Sequence, residues 1–153
     1  EGLLLFKYLL KIAKDFKDYT FIMTVANRYI TTKTRKKENV IMTEYIPNLR
    51  HKLIDCAAYI TYGGYNATVE ILKSRIPSII IPRQDGQKME QFIRAYTFEP
   101  HGFYEVVTSQ ELFTIGKTID KVLNNKPKRF KFNLKGATES ANVIKEIYNG
   151  RRL

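Results

Sequence analysis

The apolar run Pro77-Ser78-Ile79-Ile80-Ile81-Pro82 constrains the fold of this chain most. A nearly continuous run of β-branched residues between two prolines is typical of a strand that is covered on both faces, as in a parallel sheet. Parallel strands need a long crossover connection, which is usually a helix. The run therefore predicts that helices precede and follow it and that they pack on both faces of one sheet.

The rest of the chain has the alternation that this prediction needs. Shorter runs rich in β-branched and aromatic residues predict strands, and segments with apolar residues at helical spacing predict helices. The predicted strands are 19–25, 40–42, 57–61, 77–82 and 103–107. The predicted helices are 3–16, 49–55 with Asn48 as its cap, 66–74, 87–98, 109–123 and 138–148. This order predicts an α/β fold, a Rossmann-like three-layer sandwich with a mainly parallel sheet.

Length and composition favour one folded domain. The 153 residues suit a single core, and 44% apolar with 27% charged residues exclude the disordered class. A single cysteine, Cys56, excludes an internal disulfide and a multi-cysteine zinc site, and it points to a reducing compartment. No apolar run approaches the roughly 20 residues that span a bilayer. We therefore expect residues 1–153 to be one domain of a cytoplasmic protein that holds no metal.

The charge balance is strongly basic. Lys and Arg number 26 against 15 Asp and Glu, which gives a net charge of +11. Phosphorylated ligands, acidic lipids and nucleic acids are all partners that such a charge attracts. Peripheral contact with the inner face of a membrane is one expectation, and a basic nucleic-acid-binding module is an alternative from another class. Most of the basic side chains are expected to lie on the solvated surface.

The loop around Gly63 and Gly64 is the sharpest candidate site. Ligands of open parallel sheets bind at the carboxyl ends of strands, and here two glycines follow a strand and lead directly into a helix. Glycines let the backbone approach a ligand, and the helix start offers unpaired N–H groups that favour a phosphate. The alternative is ordinary turn chemistry. Neither the triphosphate-binding loop nor the dinucleotide-binding glycine pattern is present.

Two further groups of polar residues could face the same cleft. Glu70 lies nearly two turns into the helix after the glycines, where a carboxylate could accept hydrogen bonds from a ribose. Its alternative is an exposed glutamate that pairs with Lys73 or Ser74. The loop 82–91 is dense in polar side chains and suits a polyhydroxylated ligand, or it is an ordinary helix start that Asp85 caps. The positions of His51, His101 and Cys56 in the sequence do not predict a catalytic pair of nucleophile and base. Structural roles are expected for all three.

Three linked motifs resemble one known family. They lie in residues 62–72, 76–83 and 90–95, and they include Tyr62-Gly63-Gly64-Tyr65-Asn66, the proline-bounded strand and Glu90-Gln91-Phe92-Ile93-Arg94-Ala95. In this order they resemble the C-terminal domain of glycosyltransferase family 28, in particular a branch of glycosyltransferases whose acceptor is unknown. The resemblance covers about residues 19–125. It implies the C-terminal half of a two-domain GT-B fold, in which this domain binds the nucleotide-sugar donor.

The resemblance also implies a function and a set of site residues. The expected function is transfer of a hexosyl group from a nucleotide diphosphate sugar, and the expected donor is a UDP-sugar. No metal or cofactor is expected to be required. An epimerase or hydrolase of the same fold is the alternative. Catalytic residues stay unassigned. The implied donor contacts are Ile46 for the base, Gly63, Gly64, Tyr65, Asn66, Ala67 and Thr68 for the diphosphate, Glu70 for the ribose, and Arg83, Gln87, Glu90 and Gln91 for the sugar and phosphates.

The chain departs from the family pattern at two places. The family has asparagine where Arg94 precedes Ala95, and this difference leaves the sugar open. The family's C-terminal domain begins with a central strand and a glycine-rich loop, whereas Glu1 already lies in the first predicted helix. We expect a preceding segment to supply that strand between the strands that begin near Tyr19 and Ala57. We also expect an N-terminal acceptor domain, in the same or another chain.

Overall fold

The fold alternates helices and strands along the whole chain. The computed structural model describes residues 2–26, 29–30, 38–83, 89–129, 131 and 135–150. The helices are α1 (Gly2–Ile12), α2 (Leu49–Ile54), α3 (Tyr65–Ser74), α4 (Met89–Phe98), α5 (Ile115–Asn124) and α6 (Gly136–Tyr148). The strands are β1 (Phe21–Thr24), β2 (Val40–Thr43), β3 (Tyr59–Thr61), β4 (Ser78–Ile80) and β5 (Glu105–Val106). Within these residues every predicted strand and helix is confirmed, and the differences lie at the ends of the elements. The predicted start of helix 87–98 lies outside the described residues.

Some helix ends differ from the prediction, because they depend on contacts with other residues and not only on the spacing of apolar residues. The first helix was predicted to reach residue 16, but α1 ends at Ile12 and a 3₁₀ turn, Ala13–Asp15, follows. The segment before α5 is likewise a 3₁₀ helix, Ser109–Thr114. Asn48 is the N-cap residue of α2, as predicted, but its side chain makes no capping hydrogen bond. Instead, the main-chain oxygen of Asn48 accepts a hydrogen bond from the His51 N–H, at 2.9 Å.

Asn39 holds the end of the first helix, and its removal tests that role. Its side-chain nitrogen donates to the main-chain oxygens of Ala13 at 2.7 Å, Phe16 at 3.1 Å and Tyr19 at 3.1 Å. We expect Asn39→Ala to lower the free energy of unfolding by about 1 to 2 kcal/mol, because partly buried oxygens lose their donor. Urea denaturation measures this change. Asn142→Ala, at an exposed position of α6, is the control, and equal denaturation midpoints for the two variants would contradict the role.

The parallel sheet is present in two parts. In the first part, β1 pairs with β2 and Ile22 lies opposite Ile41. In the second part, the strand order is β3-β4-β5 and Ile60 lies opposite Ile79. Within the described residues, no ladder joins β1 to β3. All described strand pairs are parallel, as predicted, and the additional strand expected between β1 and β3 stays a prediction.

The hydrophobic core lies on both faces of the second sheet. Neighbouring residues of a strand point to opposite faces, and β4 shows this directly. Ile79 packs in a cluster with α1 and α5, whereas Ile80 packs in another cluster with α3 and α4. The first cluster also holds Met23 of β1 and Val40 of β2, so the two parts of the sheet share one core. The three-layer prediction is therefore confirmed.

Two helical surfaces face outward. Lys7, Lys11, Lys14 and Lys17 are all exposed along α1 and the turn after it. Helix α6 has no buried residue, and its apolar Ile144, Ile147 and Tyr148 are exposed. Among the helices that the structure describes, none combines the length and the apolar character needed to cross a membrane.

Candidate functional site

The loop between β3 and α3 turns at Gly63. Its φ is +70°, and a Cβ atom built there would lie 2.6 Å from Cγ2 of Ile80. Both the left-handed backbone and the close approach to β4 require glycine. Gly64 directly precedes α3, and no described atom outside its chain neighbours lies within 4 Å of its Cβ position. Gly63 therefore makes the turn, whereas Gly64 leaves the start of α3 open.

Thr68 stabilises this loop from its inner side. The side chain is buried, and its hydroxyl lies 3.3 Å from the Gly63 oxygen and 3.2 Å from the Gly64 oxygen. Its N–H donates to the Gly64 oxygen at 3.0 Å. Thr68 is thus engaged in the loop itself. The groups at the helix start that have no intrahelical acceptor are the N–H groups of Tyr65, Asn66 and Ala67.

A cavity of about 280 Å³ lies between α2 and α3. Its walls combine apolar side chains with Arg50, Asn66 and Glu70. The lining residues are Leu49, Arg50, Leu53, Tyr59, Asn66, Ala67 and Glu70. Ile46 is half-buried in the loop that leads from β2 to α2, but it is not among them. Thr43 shapes that loop, because its hydroxyl donates to the Tyr45 oxygen at 2.8 Å.

Glu70 forms an ion pair across this cavity. Its Oε2 lies 3.3 Å from Nε of Arg50, and 27% of the Glu70 side chain is exposed against 70% of the Arg50 side chain. The sequence alternative paired Glu70 with Lys73 or Ser74. The Ser74 hydroxyl instead donates to the main-chain oxygen of Glu70, at 2.6 Å. The carboxylate therefore faces α2 and the cavity.

Helix α4 carries three polar side chains near the carboxyl ends of β3 and β4, and one of them contacts the glycine loop. Oε1 of Gln91 accepts a long hydrogen bond from the Arg83 N–H, at 3.5 Å. Nη2 of Arg94 lies 2.9 Å from Oε1 of Glu90, and Nη1 of Arg94 donates to the Gly63 oxygen at 3.1 Å. The predicted Gln87 lies outside the described residues. Arg94, which was not among the predicted contacts, therefore connects α4 with the glycine loop.

Two arginines stack on the tyrosines that flank the glycines. Cζ of Arg83 lies 4.3 Å from the centroid of the Tyr62 ring, and Cζ of Arg94 lies 5.6 Å from the centroid of the Tyr65 ring. A guanidinium over an aromatic face is held by the ring's negative π-surface. Two positive charges therefore lie beside the tyrosines that flank the glycines, near the start of α3.

Three titratable side chains, Tyr104, Cys56 and His101, lie in surroundings that indicate structural roles. Burial raises the pKa of Tyr104, whose hydroxyl donates to the main-chain oxygen of Ala95 at 3.0 Å and so anchors α4. Burial also raises the pKa of Cys56, with a smaller effect from Asp55, which favours the protonated thiol. His101 stacks on Phe103, with ring centroids 5.6 Å apart. Within the described residues, no three His, Cys, Asp or Glu side chains form a group that could hold a metal ion.

The arrangement suits an elongated anionic ligand. It combines an apolar cavity with a carboxylate for hydroxyl groups, then an open helix start, then two arginines. The sequence analysis missed Arg50 and Arg94. Arg94 had a signal, since it departs from the family pattern, but Arg50 had none, because its partner lies on a different helix.

The chain matches the model of one protein family over most of its length. The matching model is the glycosyltransferase family 28 C-terminal domain, over residues 12–147. A UDP-N-acetylglucosamine–N-acetylmuramyl-(pentapeptide) pyrophosphoryl-undecaprenol N-acetylglucosamine transferase of Thermosipho melanesiensis is 31% identical over 114 residues. That alignment covers 73% of this chain and 32% of the relative. The chain thus spans about a third of the length of this relative.

Two other proteins are similar to the chain. A putative UDP-glucuronosyltransferase of Caenorhabditis elegans is 34% identical over 79 residues, which are 48% of this chain and 15% of the relative. The crystal structure of the glycotransferase of kitacinnamycin superposes with a TM-score of 0.66 at 12% identity, and it covers 79% of this chain and 31% of that one. This superposition shows that the two chains share a fold, which agrees with the predicted GT-B arrangement.

Proposed function

Because the chain belongs to glycosyltransferase family 28 by its C-terminal domain, we propose that it is the donor-binding domain of a glycosyltransferase that uses a UDP-sugar. The observation that carries the proposal is that the cavity and the glycine loop lie next to each other along α3. Glu70 follows the helix start at Tyr65 by about 7.5 Å along the axis, at 1.5 Å per residue. The ribose and the phosphates of one nucleotide can bridge that spacing.

The nucleoside part of the donor fits the cavity between α2 and α3. Its volume of about 280 Å³ is just below the usual range for drug-sized ligands, which suits a base with its ribose. Leu49, Leu53 and Tyr59 offer apolar contact for the base. The polar contacts of base recognition are assigned to the main chain near Ile46, in the loop that leads into α2 beside this cavity. The Glu70 carboxylate accepts hydrogen bonds from the ribose hydroxyl groups. UDP is the nucleotide named for both similar transferases.

The diphosphate binds at the start of α3. The N–H groups of Tyr65, Asn66 and Ala67 and the positive end of the helix dipole favour a phosphate there. Negative charge grows on the leaving diphosphate as the sugar is transferred. Preorganised N–H donors stabilise that charge in the transition state, as a bound cation does in other transferases. The reaction therefore needs no metal at this position.

The sugar and the acceptor lie beyond the diphosphate. Glu90 and Gln91 at the start of α4, together with Arg83, are the side chains that we assign to the sugar, and Gln87, predicted for the same role, lies outside the described residues. The acceptor binds to an N-terminal domain, in the same or another chain, which agrees with relatives about three times as long as the alignment. The domain described here thus holds the donor, and transfer needs the acceptor domain.

Calorimetric titration of the full-length protein with UDP tests the donor site. We expect Glu70→Ala to weaken UDP binding about 10- to 100-fold, because two hydrogen bonds to a charged carboxylate are lost. Glu105→Ala is the matched control, since Glu105 is also a partly exposed partner in an ion pair, with Lys121 at 2.6 Å, but lies in β5. It should bind UDP as the wild type does. Absence of UDP binding by the wild type, or equal binding by both variants, would contradict the assignment.

A further inference from the structure

The contacts of Arg94 that use its positive charge, with Tyr65 and Glu90, involve largely exposed side chains. Its guanidinium donates to the Gly63 oxygen at 3.1 Å, an oxygen that the Thr68 hydroxyl also approaches, at 3.3 Å. Its ion pair with Glu90 is a surface pair between residues four apart on one helix, with 69% of the Glu90 side chain exposed. Such pairs contribute little to stability. The loop contact needs no charge, and the ring on which the guanidinium stacks belongs to Tyr65, which is 67% exposed, so these contacts leave a further role for the positive charge.

The guanidinium has the location and the donors to meet an anion. It carries five N–H donors in a planar fork, and the contacts described above involve Nη1 and Nη2. Its Cζ lies 5.6 Å from the ring of Tyr65, the first residue of α3, so it borders the open helix start. Only 18% of the side chain is exposed, which weakens screening by solvent. A planar guanidinium is the side chain best suited to bind phosphate through two parallel hydrogen bonds.

We propose that Arg94 binds the diphosphate of the donor, adding a positive charge to the N–H groups at the start of α3. The proposal rests on the donor-binding function and deepens it by one residue. Glu90 then has a second effect, since its carboxylate competes with the diphosphate for the same guanidinium. Arg94 therefore sets the affinity for the charged part of the donor and not for the nucleoside.

Comparison of UDP with uridine in the full-length protein separates these parts. We expect Arg94→Gln to weaken UDP binding about tenfold or more, the loss of one charge-assisted contact, and to change uridine binding by less than about twofold. Arg94→Lys should lie between the wild type and Arg94→Gln, because it keeps the charge but not the fork. UDP binding by Arg94→Gln should also depend less on salt concentration, since one screened attraction is gone.

The Glu90→Gln variant gives a change of opposite sign. It keeps an oxygen that can accept from Arg94 but removes the competing charge, so UDP should bind about two- to fivefold more tightly while uridine is unaffected. Because Glu90 is largely exposed, this variant also serves if Arg94→Gln does not fold. Arg75→Gln is the matched control. Arg75 is the C-cap residue of the same helix, α3, and its guanidinium also donates to a main-chain oxygen, that of Pro127 at 3.3 Å.

The outcomes distinguish this inference from the function on which it rests. If the wild type binds neither UDP nor uridine, the donor-binding function itself is wrong. If the wild type binds both but Arg94→Gln weakens them equally, Arg94 acts only by shaping the loop and the inference is overturned. Unchanged UDP binding in both Arg94→Gln and Glu90→Gln would overturn it as well. Selective loss in the first variant and selective gain in the second support it.

Discussion

Gly63→Ala is expected to lower the free energy of unfolding by about 2 to 5 kcal/mol, of which 1 to 2 come from the left-handed backbone and the rest from overpacking. The added Cβ would lie 2.6 Å from Cγ2 of Ile80, a fully buried atom of β4 that cannot move away freely. Because the loop would have to shift, we also expect UDP binding to fall. Urea denaturation and calorimetry of the same variant measure the two effects.

A double-mutant cycle separates the two causes. In the Ile80→Ala background, Gly63→Ala no longer meets Cγ2, so only the backbone cost of about 1 to 2 kcal/mol should remain. Gly64→Ala is the matched control, because no described atom outside its chain neighbours lies within 4 Å of its Cβ position and its φ is −57°. Its stability should stay within about 0.5 kcal/mol of the wild type. Full additivity of the Gly63 and Ile80 changes would show that the predicted clash does not exist.

Ile79→Ala is expected to cost about 2 to 5 kcal/mol of unfolding free energy. Ile79 is completely buried in the cluster that joins α1, α5 and both parts of the sheet, so its truncation leaves a cavity at the centre of the molecule. The thermal unfolding midpoint and urea denaturation both report the loss. Ile54→Ala, at a side chain that is 73% exposed, is the control and should change stability by less than about 0.5 kcal/mol. Similar losses for the two variants would contradict the described core.

The layer order followed from sequence because it depends on local patterns. The proline-bounded run forms β4. That Ile79 and Ile80 pack on opposite faces of the sheet follows from strand geometry alone. Helix ends were less predictable, since the end of α1 depends on Asn39, which is distant along the chain. One local signal was overlooked. Thr108 and Glu111 form a capping box, in which both the N–H and the hydroxyl of Thr108 donate to Oε2 of Glu111, and the spacing of a threonine and a glutamate three residues apart marks it.

The candidate site likewise has a part that the sequence could predict and a part that it could not. The glycine turn and the start of α3 could be predicted, because the residues concerned are neighbours in sequence. The contacts that tie the site together could not, because Arg50 reaches Glu70 from another helix and Arg94 reaches Gly63 from 31 positions away. No periodicity in the chain relates such residues. The resemblance to a family pointed to Arg94 only as a departure, and the geometry suggests a role for it.

The two ends of the proposed site follow different strands, which has a consequence for how the domain responds to its ligand. The loop that holds Ile46 follows β2, whereas the glycine loop and Glu70 follow β3. A nucleotide in the proposed position would contact both loops at once. Its binding energy would then oppose any separation of the two loops, because a ligand that binds only the closed form stabilises that form. We expect the bound donor to act as a cross-link and to make the unfolding of the domain more cooperative.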